Sequence, residues 1–328
     1  MPSTAQSSWQ PTCSIALLQR RAWMLERIRA FFAQRHVLEV ETPILSHASG
    51  TDPQLAFFTT TYYSPPQTHT LFLQTSPEFA MKRLLASGCG SIYQICKAFR
   101  NNEVGRFHNP EFTLLEWYRV GFDLHDLMDE VEALFNALFG EHLKAPERLA
   151  YSTVFAHYTG LDALTFSYHT YCDFAKRENL QDAITLCGEN HALWLDFLFS
   201  FCVQPHLGKN ALCLIYGYPA CQSSLARINA TNPSITDRVE VFINGVELGN
   251  GFYELTHAAE QNARFDAEIS ARKNDNLPQA TKDTRLLAAL DAGLPDCAGI
   301  AIGLDRVLMI LNESASISDV LSFDIQRA

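Results

Sequence analysis

The chain has 328 residues, 47% hydrophobic and 19% charged, a globular composition long enough to bury a full core and unlike that of a disordered or fibrous protein. A formal net charge of −11 argues against a general nucleic-acid binder, whose affinity rests on neutralising phosphates. The nine cysteines include no C-x-x-C pair, so reduced intracellular thiols are expected rather than a zinc site or a disulfide framework.

Residues 1–13 read as a polar N-terminal tail without a secretory pattern. No uncharged apolar run reaches the ~18 residues of a membrane span, and a cytoplasmic location is expected. From Ser14 to Gln34 apolar residues recur at three- and four-residue steps (Ile15, Leu18, Ala22, Leu25, Ile28, Phe31), which predicts a helix capped by Ser14. Val37–Thr42 alternates like a strand and stops at Pro43. Residues 49–70 read as hairpins or loops, and Leu71–Leu73 as a short strand. A helix then opens with Ser76 as cap, Pro77 in its first turn and Glu78 at its positive end, and stops at Gly88.

Ser91–Phe99 and Glu111–Tyr118 are strand-like runs joined by a polar loop, and 123–139 is an amphipathic helix. Residues 141–205 contain helical stretches with little legible chemistry. Cys213–Tyr218 is a strand. Asn244-Gly245 between Arg238–Ile243 and Val246–Gly249 is a strong hairpin signal. His257–Lys273 reads as a charged helix, and Gly299–Leu311 as a glycine-rich strand entering a helix. No repeat and no regular β-α-β alternation is visible, so an α+β fold is expected, a mostly antiparallel sheet flanked by helices.

Three patches carry chemistry. The first runs from Arg100-Asn101-Asn102 through Asn109 to Glu116-Trp117-Tyr118. On a strand, Phe112, Leu114, Glu116 and Tyr118 share one face. An aromatic ring suited to stacking, a carboxylate and a phenol would then line up beside Arg100, which can hold a phosphate or carboxylate through two hydrogen bonds. A half-buried hairpin with surface charges fits the same residues. The second patch is Glu240, Glu247 and Glu254. With Asn244-Gly245 as a two-residue turn, Phe242 faces Glu247, and Glu240 shares that face, ~7–8 Å away across the diagonal. Two such carboxylates suit a hard cation such as Mg2+, or are a solvated acidic face. Glu254 has the opposite parity and joins them only if the strand bulges near its glycines. The third patch is Gly299 to Arg306. Its small alternate residues leave one strand face bare, for a ligand or for tight packing.

Taken in order, Glu39-Val40-Glu41-Thr42-Pro43, Phe99-Arg100 to Phe112, and Gly299 to Arg306 resemble the three motifs of the class II aminoacyl-tRNA synthetases in their lysyl form. The resemblance runs from about residue 14 to the C-terminus. It implies a class II synthetase-like catalytic domain over 14–328 with no anticodon-binding domain, as in truncated lysyl-tRNA synthetase paralogues that modify a protein.

The activity so implied is ATP-dependent formation of an (R)-β-lysyl adenylate, followed by transfer to a lysine ε-amino group of elongation factor P. Implied with it are Mg2+, a homodimer, and neither tRNA nor membrane as partner. By matching motif positions, Arg100, Glu247 and Arg306 are the expected catalytic residues. Asn101, Asn102, Asn109, Phe112, Leu248 and Gly303 are expected around ATP, together with those three. Glu240 and Glu247 are expected to hold the metal. Ser76, Pro77, Glu78, Glu116, Tyr118, Glu254 and Ala301 are expected to form the substrate pocket, since a buried ammonium must be paired.

Two positions depart from the family pattern. Asn102 stands where the family has Glu, with Glu103 following, and Ala301 stands where lysyl-tRNA synthetases have Gly. The Ala301 methyl would narrow the pocket and shift preference from α-lysine towards the β-isomer, by ~1–3 kcal/mol. Two alternatives stay open: aminoacylation of tRNA or a small acceptor, and a non-catalytic regulatory paralogue.

Overall fold

The computed structural model describes residues 9–328; residues 1–8 of the expected tail lie outside the described residues. The chain falls into two compact units. One comprises residues up to Val120, Thr256–Asp296 and Ala301–Ala328; the other comprises Gly121–Leu255 and Cys297–Ile300.

The first unit opens with α1, Ile15–Ala33, whose cap Ser14 accepts from the Leu17 amide as its sequence predicts. Met24, Ile28, Phe31 and Phe32 form its buried stripe. The run at 37–42 yields only β1, Leu38–Glu39, parallel to β5, Ile92–Phe99. Its backbone then hands one more bond across, from Val40 to the Tyr93 carbonyl, before Pro43 ends the edge. β2, Leu45–Ser46, β3, Thr59–Ser64, and β4, Gln67–Leu73, make a small sheet in the order β2-β4-β3. α2 spans Glu78–Ala86, one residue later than its sequence suggests. Pro77 is the cap residue, while the Ser76 hydroxyl accepts from the Glu78 amide.

β5 pairs antiparallel with β6, Glu111–Val120, with Tyr93 opposite Trp117 and Gln94 opposite Glu116. Those two pairs lie on opposite faces. Phe32 of α1 stacks on Tyr93 at 4.4 Å and meets Trp117 edge-on at 5.4 Å, so α1 covers the odd-numbered face and the even-numbered face of β6 belongs to the candidate site. α8, Ala258–Asn274, α9, Thr284–Gly293, β11, Cys297–Gly303, and α10, Leu304–Leu311, complete this unit, although β11 begins in the other. Here the strand order is β1-β5-β6-β11. Gln10, Pro11 and Thr12 are tied to the C-terminal segment: Thr12 donates to the Ser322 carbonyl at 2.7 Å, and Arg327 to the Gln10 and Pro11 carbonyls.

In the second unit α3, Leu124–Phe139, starts at an Asp123 capping box. β7, Lys144–Ala150, runs parallel to β8, Ala211–Pro219, and β8 pairs antiparallel with β9, Ile235–Ile243. β10, Val246–Tyr253, follows the Asn244-Gly245 turn, giving the order β11-β10-β9-β8-β7. The stretch 141–205, read from the sequence as helical with little legible chemistry, holds α4, Tyr151–Thr159, α5, Tyr168–Arg177, α6, Asp182–Cys187, and α7, His191–Leu198. Tyr151, Phe155, Tyr171, Trp194 and Leu198 from these helices pack with Cys213, Ile215, Tyr218 and Phe242 from the sheet in one core. Both units thus share an α+β character, with a sheet that mixes parallel and antiparallel pairs, as expected from the sequence apart from the two parallel contacts.

A candidate ammonium and nucleotide site

On β6, Phe112, Leu114, Glu116 and Tyr118 share one face, as strand periodicity requires. Tyr118 and Ser76 each donate a hydroxyl hydrogen bond to Glu116, to Oε1 at 2.7 Å and Oε2 at 2.8 Å. Glu116 is only 2% exposed. Burial, reinforced by the neighbouring charge of Glu78, pushes its carboxyl up to about 8; the two hydroxyl bonds and the charge of Lys82 oppose that rise. Glu78 sits one turn before Lys82 on α2, and the two pair at 2.6 Å. Ser76, Glu78, Glu116 and Tyr118 are therefore brought together, and Lys82 joins them. Pro77 contributes only backbone, accepting from Ala80 and Met81.

Two same-face steps along β6 from Glu116 lies Phe112, ~13 Å away at the strand rise. The Arg100 guanidinium stands 5.1 Å from the Phe112 ring centre, and its buried Nε has no hydrogen-bond partner among the described residues. Glu103 approaches Arg100 at 3.9 Å. At Asn102 the chain turns left-handed, φ 65°, a conformation that Asn tolerates better than Glu. The departure at 102 thus falls on a turn residue, and the next carboxylate faces Arg100. Asn101 caps this turn, its Oδ1 accepting from the Asn102 amide, and its own amide donates to the Ala56 carbonyl. Asn109 is 7% exposed, donates to the Glu111 carbonyl and accepts from the Ile325 amide.

Arg306 lies in the first turn of α10 and reaches the same loop. Its Nε donates to the Phe107 carbonyl at 3.0 Å and its Nη2 lies 2.7 Å from His108 Nε2. Asp305 is buried. It accepts from the Thr113 amide at 2.6 Å and pairs with Arg21 of α1, which also donates to the Val320 carbonyl. A buried carboxylate thus ties the strand carrying Phe112 to the helix carrying Arg306. Ala301 and Gly303 are half-buried on β11.

In the second unit the hairpin register begins as the turn predicts, Val246 opposite Ile243 and Glu247 opposite Phe242. A bulge then falls between Glu247 and Gly249, so Glu240 pairs with Asn250. Leu248, 1% exposed, is the extra residue. The bulge reverses the parity that would have set Glu254 apart, which was the condition for Glu254 to share the face of Glu240 and Glu247. Glu254 is 1% exposed, and its amide donates to the Cys297 carbonyl.

Glu240 accepts from Arg238 and from the Tyr218 hydroxyl, both at 2.6 Å. Burial pushes its carboxyl up to about 7, with Arg238 opposing and Glu247 adding to the rise. Among the described residues no three His, Cys, Asp or Glu side chains gather as a metal-binding group, and none of the helices is long and apolar enough to cross a membrane. Two electrostatically linked carboxylates nevertheless fit a hard cation that completes its shell with substrate oxygens and water.

Sequence reasoning missed Lys82, the Arg21–Asp305 link and His108. The spacing Glu78-x-x-x-Lys82 was the available signal for the first.

The family model described as "tRNA synthetases class II (D, K and N)" matches residues 12–327. A Vibrio cholerae protein named "Elongation factor P--(R)-beta-lysine ligase" is 46% identical over 324 residues, covering 98% of this chain and 99% of its own. Proteins of the same name from Enterobacter sp. (strain 638) and Salmonella paratyphi B are 44% identical with the same coverage.

Proposed function

We propose that this chain, which belongs to the family of class II tRNA synthetases (D, K and N), is an ATP-dependent ligase that activates (R)-β-lysine and transfers it to a lysine of elongation factor P. The observation that carries the reading is the Ser76–Glu78–Glu116–Tyr118 cluster around the buried Glu116; Glu116 and Tyr118 share a face of β6 with Phe112, whose ring centre lies 5.1 Å from the Arg100 guanidinium. The relatives named above supply the acceptor protein and the isomer.

In this reading Glu78 and Glu116 receive a substrate ammonium, since a buried cation needs a paired anion. Ser76 and Tyr118 fix the rotamer of Glu116 by their two hydrogen bonds. Phe112 stacks on the adenine, and the Nε of Arg100, unpartnered among the described residues, is a preorganised donor for the α-phosphate and the substrate carboxylate. The carboxylate oxygen attacks the α-phosphorus in line and pyrophosphate leaves. Arg100 and Arg306 stabilise the charge that develops on the phosphates. Asn101, Asn102 and Asn109 shape the adenine end of the loop, and Leu248 and Gly303 line the nucleotide. Ala301 and Glu254 complete the substrate pocket.

Glu240 and Glu247 would hold Mg2+, which supplies charge neutralisation for the phosphates when bound. The acceptor ε-amine then attacks the adenylate carbonyl, AMP leaves, and an amide forms. Orientation supplies most of this step, and no protein nucleophile is required. Exclusion of tRNA, a homodimer and a cytoplasmic location belong to the same proposal. The test is ATP–pyrophosphate exchange with (R)-β-lysine, with α-lysine and with no amino acid. Exchange that prefers (R)-β-lysine supports the reading; exchange equal with both lysines, or absent with either, overturns it.

A further inference from the structure

We propose that Lys82 is a built-in counter-ion of the ammonium pocket, whose charge sets the net charge presented to the amino-acid substrate and so acts as a specificity-determining positioning residue. The inference rests on the reading above that Glu78 and Glu116 receive the substrate ammonium.

Lysine is seldom buried because its ammonium must be paired, yet Lys82 is 2% exposed. Its Nζ lies 2.6 Å from Glu78 Oε1, and its charge acts on Glu116. Among the described residues, the titratable and hydrogen-bonding groups that act on Glu116 or respond to its charge include Glu78 and Lys82 on α2, Tyr118 on its own strand, Ser76 in the loop before α2, and Cys96 on β5. Burial and the charge of Glu116 push Cys96 up to about 12, so the thiol stays neutral wherever Glu116 titrates.

At the end of the pocket formed by Glu78, Glu116 and Lys82, two carboxylates and one ammonium leave one net negative charge once Glu116 ionises, enough for one incoming ammonium. Without the Lys82 charge the two carboxylates would hold a proton to higher pH. Below that pH the substrate would have to displace the proton and would bind more weakly. Above it Glu78 and Glu116 would present two uncompensated negative charges and would bind a cation more tightly than the native pair does.

The test measures KM for (R)-β-lysine and KM for ATP in pyrophosphate exchange between pH 6 and pH 9.5, for the native chain, Lys82→Met and Lys82→Arg. Ratios of variant to native cancel the titration of the substrate amines. Lys82→Met is expected to raise the amino-acid KM severalfold near pH 7, where loss of the Lys82 charge lets Glu116 hold its proton more firmly, and to lower it below the native value above pH 9. KM for ATP should stay within about twofold. Lys82→Arg keeps the charge and should follow the native curve at both ends. A Lys82→Met ratio constant across pH, or equal rises in both KM values, would reduce Lys82 to a packing role. If Lys82→Met does not fold, Lys82→Arg still decides: an amino-acid KM that departs from the native pH profile in a variant that retains the charge overturns the proposal. Native protein that shows no lysine-dependent exchange would instead remove the functional reading on which the inference rests.

Discussion

Glu116 gives the functional reading a quantitative consequence. Its carboxyl is pushed from an ordinary 4.5 up to about 8 by burial and by Glu78, so at pH 7 only about one copy in ten is ionised, and creating the anion there costs ~1.4 kcal/mol. A substrate ammonium that requires the anion must meet that cost. The amino-acid KM is therefore expected to fall about tenfold per pH unit from pH 6 towards pH 8 and then level off. About one proton should be released per substrate bound below pH 7, readable by calorimetry in buffers of different ionisation enthalpy. Glu116→Gln keeps the shape but cannot titrate, so its KM should be high and flat over the same range.

The sign for folding runs with the same group. A carboxyl raised in the folded state makes the fold bind more protons than the unfolded chain between about 4.5 and about 8, so this group lowers stability as pH rises through that window. The stability of Glu116→Gln relative to the native chain should accordingly improve from pH 5 to pH 8. A Glu116→Gln profile with the native slope would show that another group controls substrate affinity and would refute the assignment.

Further outcomes are specific to single residues. Arg100→Ala should cut pyrophosphate exchange by about 10²–10³ with an unchanged melting temperature, and full activity would mean that the nucleotide lies elsewhere. Ala301→Gly should improve exchange with α-lysine relative to (R)-β-lysine by up to about tenfold; an unchanged ratio would remove the role given to that methyl. Gly251→Ala would drive a Cβ to 2.8 Å from Ile300 Cβ and 2.9 Å from the Gly299 carbonyl oxygen, so a loss of ~1–3 kcal/mol is expected, seen as a lowered denaturation midpoint. Asp123→Ala removes a capping box and should cost ~1 kcal/mol.

The legible parts of the fold are those where local chemistry and tertiary demand agree. Ser14, Asn244-Gly245 and the even-numbered face of β6 each express a local rule that packing leaves intact. β7 was unreadable because Lys144-Ala145-Pro146-Glu147 is an exposed edge, where a strand needs no apolar alternation. α9 did carry a signal, since Asp283 accepts from the Arg285 and Leu286 amides ahead of an apolar run. The strand at 37–42 shrank to two residues because Pro43 cuts short its pairing with β5.

At the candidate site, motif spacing singles out Arg100, Glu116 and Arg306 as candidates but says nothing of the partners that hold them. Lys82 went unseen because a lysine on a helix is by default a solvated one. Its burial follows from where α2 meets Glu116, which no local pattern reveals. The bulge at Leu248 was foreseen only as the condition for Glu254 to turn inward, because glycines permit a bulge without fixing its position.

The account stands or falls on what receives the activated amino acid. Incubated with ATP, Mg2+ and (R)-β-lysine in the presence of both elongation factor P and lysine tRNA, the protein should add one β-lysyl residue to elongation factor P, read by intact mass, and leave the tRNA uncharged. Unmodified elongation factor P alongside charged tRNA would contradict it.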